Sequence, residues 1–84
     1  MKIKNNPNFT LKITYDSKEM AETIYNAILI EHNESQIKSK CIMELRNNTL
    51  FITSLATEVS ILKASFYSYI RWIKTAESIY KLTI

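Results

Sequence analysis

Apolar and polar residues alternate without a break from Phe9 to Tyr15, FTLKITY. That spacing predicts a half-buried strand with Phe9, Leu11, Ile13 and Tyr15 inward and Thr10, Lys12 and Thr14 outward. The period then changes. From Asp16 the apolar residues recur at helical spacing to about Ile30, with Met20, Ala21, Ile24, Ala27 and Ile28 inward and Tyr25 and Leu29 to the side. Asp16 is the expected cap, and Glu19 three residues on completes a relative of the capping box. Residues His32 to Ser39 are polar and lack periodicity, which reads as an exposed loop.

Alternation resumes at Lys40 and runs through two stretches separated by Asn47-Asn48. Two asparagines tolerate the positive φ angles of a type I′ turn, so a tight hairpin is expected. Its register pairs Leu45 with Leu50, Met43 with Ile52 and Cys41 with Ser54 on the core face. The outer face then carries Arg46 with Thr49, Glu44 with Phe51, and Ile42 with Thr53.

From Thr57 to Leu82 the chain predicts one helix of about seven turns at 3.6 residues per turn. Val59, Leu62, Phe66, Tyr69, Ile70, Ile73, Ala76 and Tyr80 share one arc, the core-facing stripe. A second row, Ile61, Ser65, Ser68, Trp72 and Ile79, sets small residues around an indole. A third arc carries Lys63, Tyr67, Arg71, Lys74, Ser78 and Lys81. The resulting order, β-α-β-β-α, implies an α+β fold: a three-stranded antiparallel sheet of spatial order 1-3-2 with both helices on one face. Such a sheet leaves two open edges, which invite strand addition from another chain.

Eighty-four residues suffice for a single domain, 1–84, with a small core, for which dimerisation is a natural source of further burial. A net charge of +3 and a pI near 9.1 are compatible with an RNA partner but weak by themselves. With Cys41 the lone cysteine, no internal disulfide can form. No run approaches the roughly 20 apolar residues of a membrane span, and MKIKNNPNF lacks the apolar region of a secretion signal. A cytoplasmic setting, with no membrane partner, is the expectation. Glycine is absent, which removes the Gly-rich loops that cradle phosphates.

Catalytic chemistry is equally thin. The single histidine, His32, falls in the polar loop, and Cys41 falls on the core face of a strand. No HxxxH, CxxC or paired-carboxylate arrangement is present, and Glu19 and Glu22 are explained by capping and solvation. No enzyme activity, metal or cofactor is expected, so the surplus surface points to a binding module.

The last helix, SILKASFYSYIRWIKTAESIYKL, resembles that of the Pcc family, the small dimerising subunit of the KEOPS complex. Leu62, Lys63, Ala64, Ser65, Ser68, Tyr69, Ile70, Arg71, Trp72, Ile73, Ala76 and Tyr80 carry the resemblance, and the strand, helix and hairpin upstream follow in the same order. Lys63 stands where the family leads one to expect arginine, Tyr67 where asparagine is expected, and Asn47-Asn48 where the hairpin would contain glycine. The resemblance implies a non-catalytic α+β subunit that dimerises and docks on the ASKHA-fold threonylcarbamoyltransferase subunit. It also implies a complex with a small kinase or ATPase subunit, which installs threonylcarbamoyl on adenosine 37 of tRNAs reading ANN codons.

Three surfaces then acquire expected roles. The row Ile61, Ser65, Ser68, Trp72 and Ile79 is read as a groove for the transferase's helices, the alternative being cover by the first helix. Lys63, Tyr67, Arg71 and Lys74 could follow an RNA backbone, or form an ordinary solvated helix face. Ile42 and Phe51 could help a dimer interface on the outer sheet face. A diverged paralogue that heterodimerises with the principal subunit, and a free-standing RNA-binding domain, are the competing functions.

Overall fold

The computed structural model describes residues 7–34 and 39–82. In these, β1 (Asn8–Thr14), α1 (Lys18–Glu34), β2 (Ser39–Arg46), β3 (Thr49–Ala56) and α2 (Val59–Leu82) follow in order. The sheet is antiparallel with order β1-β3-β2. The hairpin register is the expected one, with Leu45 opposite Leu50, Met43 opposite Ile52 and Cys41 opposite Ser54. β3 is central because its inward row, Leu50, Ile52, Ser54 and Ala56, is buried and can be flanked on both sides.

The hairpin differs from expectation in its turn. Among the described residues Asn47 alone among non-glycines has positive φ, at 55°, so the pair is not a type I′ turn, which needs positive φ at both positions. Asn48 is used otherwise: its Nδ2 donates to the Tyr15 carbonyl at 2.6 Å, and the Tyr15 amide donates to its carbonyl at 2.8 Å. The turn is thereby stitched to the end of β1.

Helix α1 is capped by Ser17 rather than Asp16. With Lys18 the first helical residue, the side chain that reaches the N3 amide is that of Ser17, whose Oγ accepts from Met20 N–H at 3.1 Å. Glu19 lies in the first turn, where a carboxylate complements the helix dipole. The helix continues to Glu34, past the expected end at Ile30. No Gly or Pro stops it, and His32 extends the buried row Ala21, Ile24, Ile28 at i+4 spacing. His32 is therefore helical and half-buried, Asn33 and Glu34 are helical too, and Ser39 opens β2; residues 35–38 of the expected loop lie outside the described residues. The buried stripe widens toward Tyr25 and Leu29, which pack on the core, and leaves Ala27 exposed.

Helix α2 buries Tyr69, Ile73 and Ala76. Phe66 meets Phe9 of β1 edge-on, ring centroids 5.4 Å apart. Val59 is a correction to the inward arc: it is 56% exposed, in the opening turn of α2. The core combines inner-face residues of the sheet, Met43, Leu50 and Ile52, with Ala21, Ile24 and Ile28 of α1 and Tyr69, Ile73 and Ala76 of α2. Both helices thus cover one face. Tyr15 closes the far end, its hydroxyl donating to Glu77 Oε2 at 2.8 Å.

Candidate partner and nucleic-acid surfaces

The Trp72 row is half inside and half outside the fold. Trp72 is partly buried, packs on the core, and meets Tyr69 edge-on at 4.9 Å. Ser65 Oγ lies 3.4 Å from Cys41 Sγ, so this end of the row leans on β2. Ile61 and Ser68 are intermediate in exposure, whereas Ile79 is 56% exposed. The indole therefore anchors α2 with one side and offers the other, and Ile79 extends the apolar strip.

Lys63, Tyr67, Arg71 and Lys74 are all exposed and share one side of α2, as the wheel requires. Among the described residues none of these three cations is ion-paired; the one ion pair is Arg46 with Glu44, at 3.2 Å. Tyr67 lies against Phe66, centroids 5.7 Å apart, so its ring is propped up beside the cations. Below it, Phe9, Leu62, Lys63, Phe66 and Tyr67 border a shallow apolar hollow of about 170 Å³.

On the outer sheet face Ile42 and Phe51 have different surroundings. Ile42 is 65% exposed and its apolar neighbour is Leu55, which no pairing inferred from the sequence included. The two border an open depression with Lys40, Cys41 and Thr53. Alternation carried one step past Ser54 would have found Leu55. Phe51 is half-buried, with the Arg46 guanidinium 5.0 Å and the Lys12 ammonium 6.0 Å from its ring centroid.

Elsewhere the titratable groups serve packing. Burial lowers the His32 pKa, keeping the ring neutral, and its Nδ1 is 2.6 Å from the Tyr69 hydroxyl. Cys41 Sγ donates to Ser54 Oγ at 3.0 Å on the core face. Among the described residues no group of three or more His, Cys, Asp or Glu could hold a metal ion. No described helix is long and apolar enough to cross a membrane.

The sequence pattern of the family described as "Transcription factor Pcc1" matches residues 8–81. The chain belongs to the Pcc1 family. Eleven chains of solved structures match the fold. One belongs to a crystal structure of a binary complex Gon7-Pcc1, with TM-score 0.77 and 18% identity over 93% of this chain and 96% of that one. No curated protein matches by sequence.

Within this Pcc1-family chain, the departures noted above are accommodated without disturbing the fold. Lys63 and Tyr67 are solvent-facing, so neither disturbs the core. The hairpin closes without glycine because Asn47 takes the positive φ itself. The sequence pattern itself carries the i+4 continuation to His32 and the outward step to Leu55.

Proposed function

We propose that the protein is a non-catalytic accessory subunit of the KEOPS complex. In this role it scaffolds the threonylcarbamoyltransferase subunit and helps the complex hold tRNA for threonylcarbamoylation of adenosine 37. The observation that carries the proposal is the Pcc1-family match across residues 8–81. The half-exposed Trp72 with Ile61, Ser65, Ser68 and Ile79 supports a docking strip for the transferase subunit, since each of these side chains keeps area beyond what the fold covers. The unpaired cations Lys63, Arg71 and Lys74 beside Tyr67 support a contact with tRNA phosphates. The setting is cytoplasmic, and the unit is residues 1–84 as one domain.

Self-association is assigned to the outer sheet at its β2 side. There Ile42 and Leu55 form the exposed apolar end, next to an open strand edge, with Phe51 at its cationic border. The matched Gon7-Pcc1 structure is a binary complex, which favours a second reading: a diverged paralogue that pairs with a different small subunit. Light scattering separates them, because a stable homodimer supports the first and a monomer that pairs only with another small subunit supports the second. Affinity capture from source extract tests the assembly itself. Recovery of the transferase subunit, reduced by Ile79→Lys, supports the docking strip; capture without it overturns the proposal.

A further inference from the structure

Three rings run in series from α1 to the docking strip. The His32 ring, in the last turn of α1, has its centroid 6.0 Å from that of Tyr69 and its Nδ1 2.6 Å from the Tyr69 hydroxyl. Tyr69 in turn meets Trp72 edge-on at 4.9 Å. The middle ring is 1% exposed and the outer two are half-buried, so Tyr69 cannot turn without moving what rests on it.

The core does not require a histidine at this position. An apolar residue four places after Ile28 would fill the same site with no polar group to desolvate, whereas an imidazole brings a hydrogen bond to a buried hydroxyl and a proton exchanged near neutrality. Among the described residues, few titratable groups stand on the elements around it. Glu31 and Glu34 flank it on α1 and are exposed, and α2 presents Tyr69. β2 turns Cys41 inward against Ser54, and Lys40, Glu44 and Arg46 to the outer face; the inward row of β3, Leu50, Ile52, Ser54 and Ala56, has none. Burial is what lowers the His32 pKa. A protonated ring is therefore driven toward solvent, an easy move in a terminal turn. That withdraws a hydrogen-bond partner from a hydroxyl that water scarcely reaches, and Tyr69 and the indole against it must resettle.

We infer that His32 is a positioning residue of the docking strip: through Tyr69 it holds Trp72 in the orientation that the transferase subunit meets, and acid releases it. This role rests on the reading of the Trp72 row as a docking strip. The neutral ring is the docking form, so docking is full above the pKa of the folded chain and is lost as pH falls through it.

Trp72 is the only tryptophan, so emission from the free chain reads this indole by itself. Between pH 7 and 5 it should follow a one-proton curve with its midpoint below 6.5, and His32→Asn and Tyr69→Phe should flatten that curve. Affinity for the purified transferase subunit should weaken about tenfold for each pH unit below the midpoint. His32→Asn should bind as the wild type does at pH 7 and lose the slope. Circular dichroism at each pH checks that the chain stays folded. Flat wild-type emission overturns the inference, as does an emission change or a docking slope that survives in His32→Asn. Ile79→Lys separates this role from the strip itself. If that variant weakens docking while the wild type shows no pH slope, the strip stands and the role of His32 falls; if the transferase subunit binds at no pH, both fall together.

Discussion

The Tyr69 hydroxyl on α2 and the His32 ring on α1 are joined by a 2.6 Å hydrogen bond, with Tyr69 only 1% exposed. Either partner can donate: the Tyr69 hydroxyl does so when the ring proton is on Nε2, and Nδ1 does so when the proton is there. The contact clasps the two helices where α1 would otherwise fray.

This clasp predicts a pH dependence. Burial lowers the folded-state pKa of His32 below the ordinary 6.5, so between the two values the unfolded chain binds more protons than the folded one. Stability from this group is complete above about pH 6.5 and declines as pH falls below it. Melting temperature should drop on acidification from pH 7 to 5. His32→Asn, which keeps an acceptor near the Nδ1 position but cannot titrate, should lessen that drop; an unchanged slope would refute the assignment.

At the other end of α2, the Tyr15–Glu77 bond links β1 to the helix. Burial and the neighbouring carboxylate raise the Tyr15 pKa. A hydrogen bond to a charged group contributes about 1.5 kcal/mol at the low end of the usual range. Tyr15→Phe should cost roughly that in urea unfolding, with the m-value unchanged. In the wild type the raised pKa means stability present below pH 10 and lost above it, a loss that Tyr15→Phe should not share.

The hairpin turn offers opposite substitutions at one position. Asn47 holds φ at 55°, a conformation that costs a residue with a branched Cβ about 1–2 kcal/mol. Asn47→Val should lower stability by that amount, whereas Asn47→Gly should be neutral or stabilising. Asn48→Ala, which removes the 2.6 Å bond to the Tyr15 carbonyl, should cost about 1 kcal/mol. Chemical denaturation of the three variants checks the ordering.

Trp72 and Ile79 should separate packing from docking. Because the indole rests on the core and on Tyr69, Trp72→Ala should destabilise the free protein by about 2 kcal/mol, below the cost of a fully buried ring. Ile79, more than half exposed, should tolerate lysine within about 0.5 kcal/mol. Equal destabilisation by both would mean that the strip is wholly structural.

The strands were legible in the sequence because each has one wet and one dry face, and period two leaves no ambiguity about register. Strand order followed from the hairpin and the helical crossover. Helix ends were harder. Asp16 and Ser17 are both good caps, and only the position of the first helical residue selects Ser17. The polar run after Ile30 resembled a loop because its composition outweighed the single inward histidine. The Trp72 row was visible as a pattern, but how far Tyr69 and β2 cover it depends on packing that no periodicity encodes. Phe51 read as an apolar residue on the outer face; its cations come from two other strands and are invisible until the sheet is assembled.

Helix α2 is longer than the sheet beneath it. Twenty-four residues rise about 36 Å, while an eight-residue strand extends about 27 Å. Val59 and Leu82, in its first and last turns, are exposed. Amide protons in those turns should exchange orders of magnitude faster than those around Tyr69, because only local fraying must occur. A protein that grips those end turns would slow that exchange, turning the helix tips into a built-in reporter of assembly.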